Sequence, residues 1–207
     1  MSIVLDGTTG LAGAATGALN GALGGTTPST VVATTVVASS TIKGATTIAV
    51  GNATPSASGA GITFPATQSA STDANTLDDY EEGTWTPTLA FNAGSVGITY
   101  SKQLGYYTRV GNVVNVSMYL ALSNKGTSTG DAVIAGLPFG VKNTSVFYPG
   151  GAFRIGSSVS LVGAPQFYTP YGGTSINLEV GGGGIALTNA NFSNTTDICW
   201  NYIYQTD

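Results

Sequence analysis

The sequence predicts an all-β chain, in which an extended N-terminal β-stalk woven from neighbouring chains precedes an antiparallel β-sandwich, jelly-roll-like, as a head. Three observations carry this expectation. From Trp85 onward, short apolar or alternating runs recur about every ten residues, separated by Gly, Asn, Ser or Pro, and no window has a helical period. In one of these runs Val114, Val116, Met118 and Leu120 alternate with Asn115, Ser117, Tyr119 and Ala121, the period of a strand with two unlike faces. Before Leu77 the chemistry is of another kind: 50 of the first 76 residues are Ala, Gly, Ser or Thr, and the first aromatic is Phe64.

A segment of that composition has too little side-chain area to offset roughly 1 to 2 kcal/mol of backbone entropy per residue, so any order in it requires other chains. Its apolar residues suit the same idea. In STVVATTVVASSTIKGATTIAVG, the β-branched Val31, Val32, Val36, Val37, Ile42, Ile48 and Val50 recur among threonines, which favours short extended strands. Neighbouring copies must cover both faces of such strands, and a closed symmetric oligomer is the usual means. This thin stalk and linker is placed at residues 31–76, with GITFPATQ as its last short strand, stopped by Pro65.

The head, residues 77–207, has the makings of its own core. Its expected strands are TWTPTLAF, GITYS, GYYTRVGNVVNVSMYLAL, DAVIAGLPF, TSVFYPGGAFRIG, SSVSLVG, PQFYTP, SINLEVGGGGIAL and DICWNYIYQ. GGGG at 181–184 reads as a turn, because no Lys-Ser/Thr follows it and no helix is in sight to make a phosphate loop.

Composition excludes much chemistry. Six basic residues against ten acidic ones give a net charge of −4 without any Lys/Arg cluster, which argues against nucleic acid and anionic membranes as partners. With no histidine, the commonest general base and metal ligand is missing, and a single cysteine allows no intrachain disulfide or Cys-His pair. No cofactor or metal is expected. The start, MSIVLDGTTGLAGAATG, lacks the basic and apolar regions of a signal peptide, and no 18-residue apolar run could insert in a membrane. Synthesis in a cytoplasm, followed by assembly, is the expectation.

LDDYEEGTWTPTLAF, followed by ITYSKQLGYYTRVGNVVNVSMYLALSNKGTSTGDAVIAGLPF, resembles the C-terminal domain that recurs in tail-fibre and other minor structural proteins of tailed bacteriophages. GITFPATQSASTDANTLDDYEE resembles the junction those proteins share, and GALGGTTPSTVVATTVVASSTI their repetitive shafts. The likeness spans about residues 20–140, is most specific at Leu77 to Pro87, and does not extend over 143–207. It implies a homotrimeric virion appendage, with residues 1–30 docking to other virion proteins and a β-rich tip adhering to a host glycan or protein. A fibre on the tail is the first reading; a capsid-decorating head fibre and a small glycan-degrading tailspike are the alternatives.

Asp78, Asp79, Glu81 and Glu82 fall within five positions of LDDYEEGTWTP. Glycosidases hold two carboxylates roughly 5 to 10 Å apart across a sugar, whereas these are nearly adjacent, so they read as linker and turn residues rather than as catalysts. Asp78 or Asp79 would cap a turn, Leu77 and Tyr80 would plug the base of the head, and an acid here would reach Lys102 or Arg109 of a neighbouring chain. Asp73, Asn75, Asp78 and Asp79 offer hard oxygen ligands for calcium, but without the spacing or glycine of an EF-hand loop. The acids left in the head are Asp131, Glu179, Asp197 and Asp207.

Receptor contact is expected instead from Tyr168 and Tyr171, which sit among Pro and Gly in QFYTPYGGTS, where flat rings suit a sugar face. Asn189, Asn191, Asn194 and Thr195 in TNANFSNTTD would add hydrogen bonds. The competing reading puts Phe167 and Tyr168 in the core or at the trimer axis. Cys199, beside Trp200, reads as a buried, inert thiol.

Overall fold

The alternation that marks residues 114–120 extends into the longest feature of the fold, a hairpin of β5 (Ile98–Val110) and β6 (Val113–Lys125). Gly111, at φ +56°, supplies the left-handed turn that its two-residue loop demands. GITYS and GYYTRVGNVVNVSMYLAL, expected as two strands, divide differently: SKQL joins GITYS to GYYTRV in β5, with a bulge at Thr99 to Lys102, and the remainder is β6. The computed structural model describes residues 47–207 except 52, 56–58, 69–70, 74, 158–160, 162 and 182–183. All belong to one unit, Gly44–Asp207. The expected docking segment 1–30, and Val31 to Ile42 of the expected stalk, lie outside the described residues.

Among the described residues there is no α-helix, and two antiparallel sheets form a β-sandwich. One sheet has the order β3 (Tyr80–Thr84), β5, β6, β13 (Asp197–Gln205), β9 (Arg154–Gly156). The other runs β4 (Thr88–Phe91), β7 (Ala132–Ala135), β11 (Ser175–Val180), β10 (Pro165–Tyr168), β8 (Gly150–Ala152), and β12 (Ile185–Ala186) also pairs with β11. TSVFYPGGAFRIG divides between the sheets: residues 144–149 are loop, β8 joins one sheet, and β9 the other. Phe153, buried between β8 and β9, is the crossing point. SSVSLVG lies largely outside the described residues, and its described members are not in a strand. β11 and β12 pair antiparallel on either side of GGGG, of which Gly181 and Gly184 are described.

Inward-facing side chains interdigitate between the sheets. Val114, Val116, Met118 and Leu120 of β6 and Ile198, Trp200, Tyr202 and Tyr204 of β13 meet Leu89, Phe91, Ile134, Phe167, Ile176 and Leu178 of the other sheet. Phe167 stacks on Trp200 at 5.3 Å and meets the edge of Tyr202 at 4.9 Å. Tyr100 ties the sheets by hydrogen bonding, since its hydroxyl accepts from the Leu89 N–H and donates to the Leu89 carbonyl.

Within LDDYEEGTWTP, residues 80–84 form an edge strand, β3, where a turn was expected. Glu81 and Glu82 lie in β3, opposite Arg109 and Thr108 of β5. Two glycines allow this packing: a Cβ at Gly83 would come within 2.9 Å of the Tyr107 ring, and one at Gly105 within 2.5 Å of the Trp85 carbonyl. Trp85 therefore lies against Gly105, with its indole N–H donated to the Ser117 carbonyl, and is buried at the start of the core. Leu77 and Tyr80, expected as plugs, are exposed; Asp79 turns inward because the pairing of β3 with β5 brings it to Arg109.

Ahead of the sandwich, β1 (Thr47–Ala49) and β2 (Gly61–Thr63) make a parallel two-stranded ribbon, with Ile48 opposite Ile62 and both exposed. GITFPATQ is thus a strand that ends before Pro65, as expected.

Candidate functional site

The two sheets present unlike outer faces to their surroundings. Because β6 and β13 bury every second residue, the alternate positions of the five-stranded sheet point away from the core. That outer face carries Leu104 opposite Tyr119, Val110 opposite Val113, and Tyr106 and Ile203 beside them, all substantially exposed. The outer face of the other sheet is polar: Tyr168 pairs with Asn177 and Gln166 with Glu179, while their neighbours Phe167 and Leu178 enter the core.

Tyrosines gather at the β10 end of this polar face. Tyr148, in the loop before β8, lies edge-on to Tyr168 at 6.1 Å and to Tyr171 at 5.6 Å, and Tyr148 and Tyr171 are 52% and 41% exposed. Edge-to-face packing of this kind fixes the rings in each other's quadrupole fields and leaves part of each ring open. Phe167 and Tyr168 therefore divide between the two sequence readings, Phe167 in the core and Tyr168 in the surface cluster. The sequence reading did not include Tyr148. Its position before Pro149 and Gly150 carried the same Pro/Gly signal as Tyr171, but it lay in a run taken as strand.

A pocket of about 90 Å³ opens on the same face, lined by Tyr168, Asn177, Asp131, Glu179, Ala186 and their neighbours. A wider depression of about 490 Å³, bounded by Ala53, Thr54 and residues 63–67, offers no ionisable group and so little chemistry.

Asn189, Asn191, Asn194 and Thr195 fold their own loop. The Asn189 side-chain oxygen accepts from the Gly130 N–H, that of Asn191 from the Thr188 N–H, and that of Asn194 from the Lys125 N–H. Thr195 donates its N–H to the Ser193 hydroxyl. These side chains satisfy backbone donors that the irregular stretch between β12 and β13 would otherwise leave open. The short 3₁₀ turn Asn189–Asn191, capped by Thr188, is the outcome.

The acidic run divides into separate small tasks. Asp79 and Arg109 form a buried ion pair at 3.2 Å within the chain. Arg109 is held further by the Gly111 carbonyl, the Gln68 side chain and the face of Phe139. Asp78 accepts from the Ser71 N–H and Asp73 from the Asn75 N–H, as local turns require. Glu81 accepts from the Tyr107 hydroxyl, a bond that pushes the Tyr107 phenol up to about 12. Glu82 likewise accepts from Tyr80, whose phenol is raised. Among the described residues no group of three His, Cys, Asp or Glu side chains is placed to hold a metal ion. Cys199 is half-buried on the outer face of its sheet, opposite Arg154, rather than in the core.

A scan against protein-family models finds no match to the chain, and a search of curated proteins finds none.

Proposed function

We propose that the chain is a non-enzymatic virion fibre of a tailed bacteriophage, a homotrimer anchored through its N-terminal segment and adhering to a host-surface glycan through its head. The observation that carries the adhesive role is the cluster of Tyr148, Tyr168 and Tyr171 on a polar sheet face, with amide and carboxylate side chains beside it. Partly exposed rings next to planar polar groups match the two sides of a sugar, its C–H face and its hydroxyl rim.

Self-association is supported by surfaces that a single copy leaves in water. A parallel ribbon of two three-residue strands has little stability in isolation, and Ile48 and Ile62 on it are open to a neighbour. The outer face of the five-stranded sheet, where Leu104, Tyr106, Tyr119 and Ile203 are exposed among Asn115, Ser117 and Asn201, is a second such surface. Three modest sites on one rigid tip gain avidity that a single site lacks, roughly a hundredfold or more where geometry permits simultaneous engagement.

The test is binding of the purified full chain to an array of bacterial surface glycans. Tyr171→Ala and Tyr148→Ala are each expected to weaken the signal by about tenfold, the scale of an aromatic contact worth about 1.4 kcal/mol, with the circular dichroism spectrum unchanged. Undiminished binding by both variants would remove the tyrosine cluster from the function.

A further inference from the structure

Nine of the ten carboxylic side chains fall within the described residues, and seven of them hold a hydrogen bond or ion pair inside the chain. Asp131 and Glu179 are the two that do not, and both line the pocket beside Tyr168. They arrive there from distant parts of the sequence. Asp131 immediately precedes β7 and bridges to Thr188, while Glu179 sits on β11 opposite Gln166 and Ala186. No Lys or Arg is among the lining residues; Lys125, on the neighbouring hairpin, donates its ammonium to the Asn189 carbonyl. The pocket thus gathers unpaired negative charge beside an aromatic side chain. That combination favours a cation through the ring quadrupole and through charge-assisted hydrogen bonds.

Size narrows the ligand. A cavity of about 150 Å³ accommodates a benzene-sized ring, and this pocket measures about 90 Å³. It has room for an exocyclic group and not for a sugar ring, which would lie outside, against the tyrosines.

We propose that the pocket takes the ammonium group of an amine-bearing glycan, with Asp131 and Glu179 as its counter-charges, the Asn177 side chain as a further polar partner and Tyr168 as the aromatic wall. The assignment rests on the adhesive reading above and sharpens it, since anionic polysaccharides are disfavoured at such a site while free amino sugars are selected. An acetamide in the same position cannot supply the positive charge.

The test is calorimetric titration of the full-length protein, at mildly acidic pH, with a glucosamine hexamer and with an N-acetylglucosamine hexamer. The free-amine hexamer is expected to bind at least about tenfold more tightly, as for a hydrogen bond to a charged partner. Its advantage should shrink as salt rises. The double variant Asp131→Asn, Glu179→Gln is expected to erase that advantage and leave any affinity for the acetylated hexamer in place, with an unchanged circular dichroism spectrum. Equal affinity for the two hexamers, unaltered by the double variant, would overturn the ammonium assignment and leave the adhesive reading intact. Failure of the free-amine hexamer to bind would also overturn it, and the adhesive reading would then depend on the glycan array and its tyrosine variants. Shortening of either hexamer would overturn both, by making Asp131 and Glu179 hydrolytic groups.

Discussion

Asp78 and Asp79 are adjacent and chemically identical, yet one holds a surface turn and the other a buried ion pair. Nothing local separates them: the difference comes from the pairing of β3 with β5, which aims Asp79 at Arg109. Replacing Asp79 with Ala leaves Arg109 charged and buried, so the expected loss of stability is about 3 kcal/mol, the usual cost of breaking a buried pair. Urea unfolding measures it directly. A second consequence at this scale concerns alkali. Burial raises the phenols of Tyr202, to about 12, and of Tyr204, each above the unfolded value of 10.0. A group raised in the folded state contributes stability that is complete below the unfolded pKa and lost as pH climbs through the folded one. The melting temperature, followed by circular dichroism, is therefore expected to fall between about pH 10 and 12.

Strands were legible in the sequence where burial alternates strictly, as in β6, β11 and β13, because a period of two is a direct imprint of a sheet with one covered face. β3 was not legible. Its core side holds Glu81, exposed and bonded to Tyr107, and Gly83, against the Tyr107 ring, so contacts with Tyr107 rather than hydrophobicity set these positions. The break at Phe153 was equally hidden, because a chain that changes sheets keeps its alternation while its partners change. The candidate site was half legible: Tyr168 and Tyr171 carried a turn signal, whereas Asp131 and Glu179 converge only through the ladder that sets β7 beside β11 and β11 beside β12. The β1–β2 ribbon yields a prediction of its own. Ile62 is 59% exposed in the single chain, so Ile62→Asp costs a monomer little; in an assembly that covers this ribbon it buries an unpaired charge. Sedimentation should then show this variant dissociating at concentrations where the parent chain remains assembled.

At the scale of the whole molecule, the proposed function divides two tasks between the faces of the sandwich. The outer face of one sheet, with exposed Leu104, Tyr106 and Ile203, and the ribbon ahead of it would meet other copies, and the polar, tyrosine-bearing face of the other sheet would meet a glycan. The composition of the first 76 residues and the exposed isoleucines of the ribbon are two independent grounds for the proposed assembly. Adhesion through weak sites in turn depends on that assembly, because avidity is the product of site number and rigid spacing. The most direct test is therefore the mass of the full-length protein in dilute solution by sedimentation equilibrium. The account predicts three times the 20.7 kDa of the chain, unchanged on dilution; a folded species of one chain mass would contradict it.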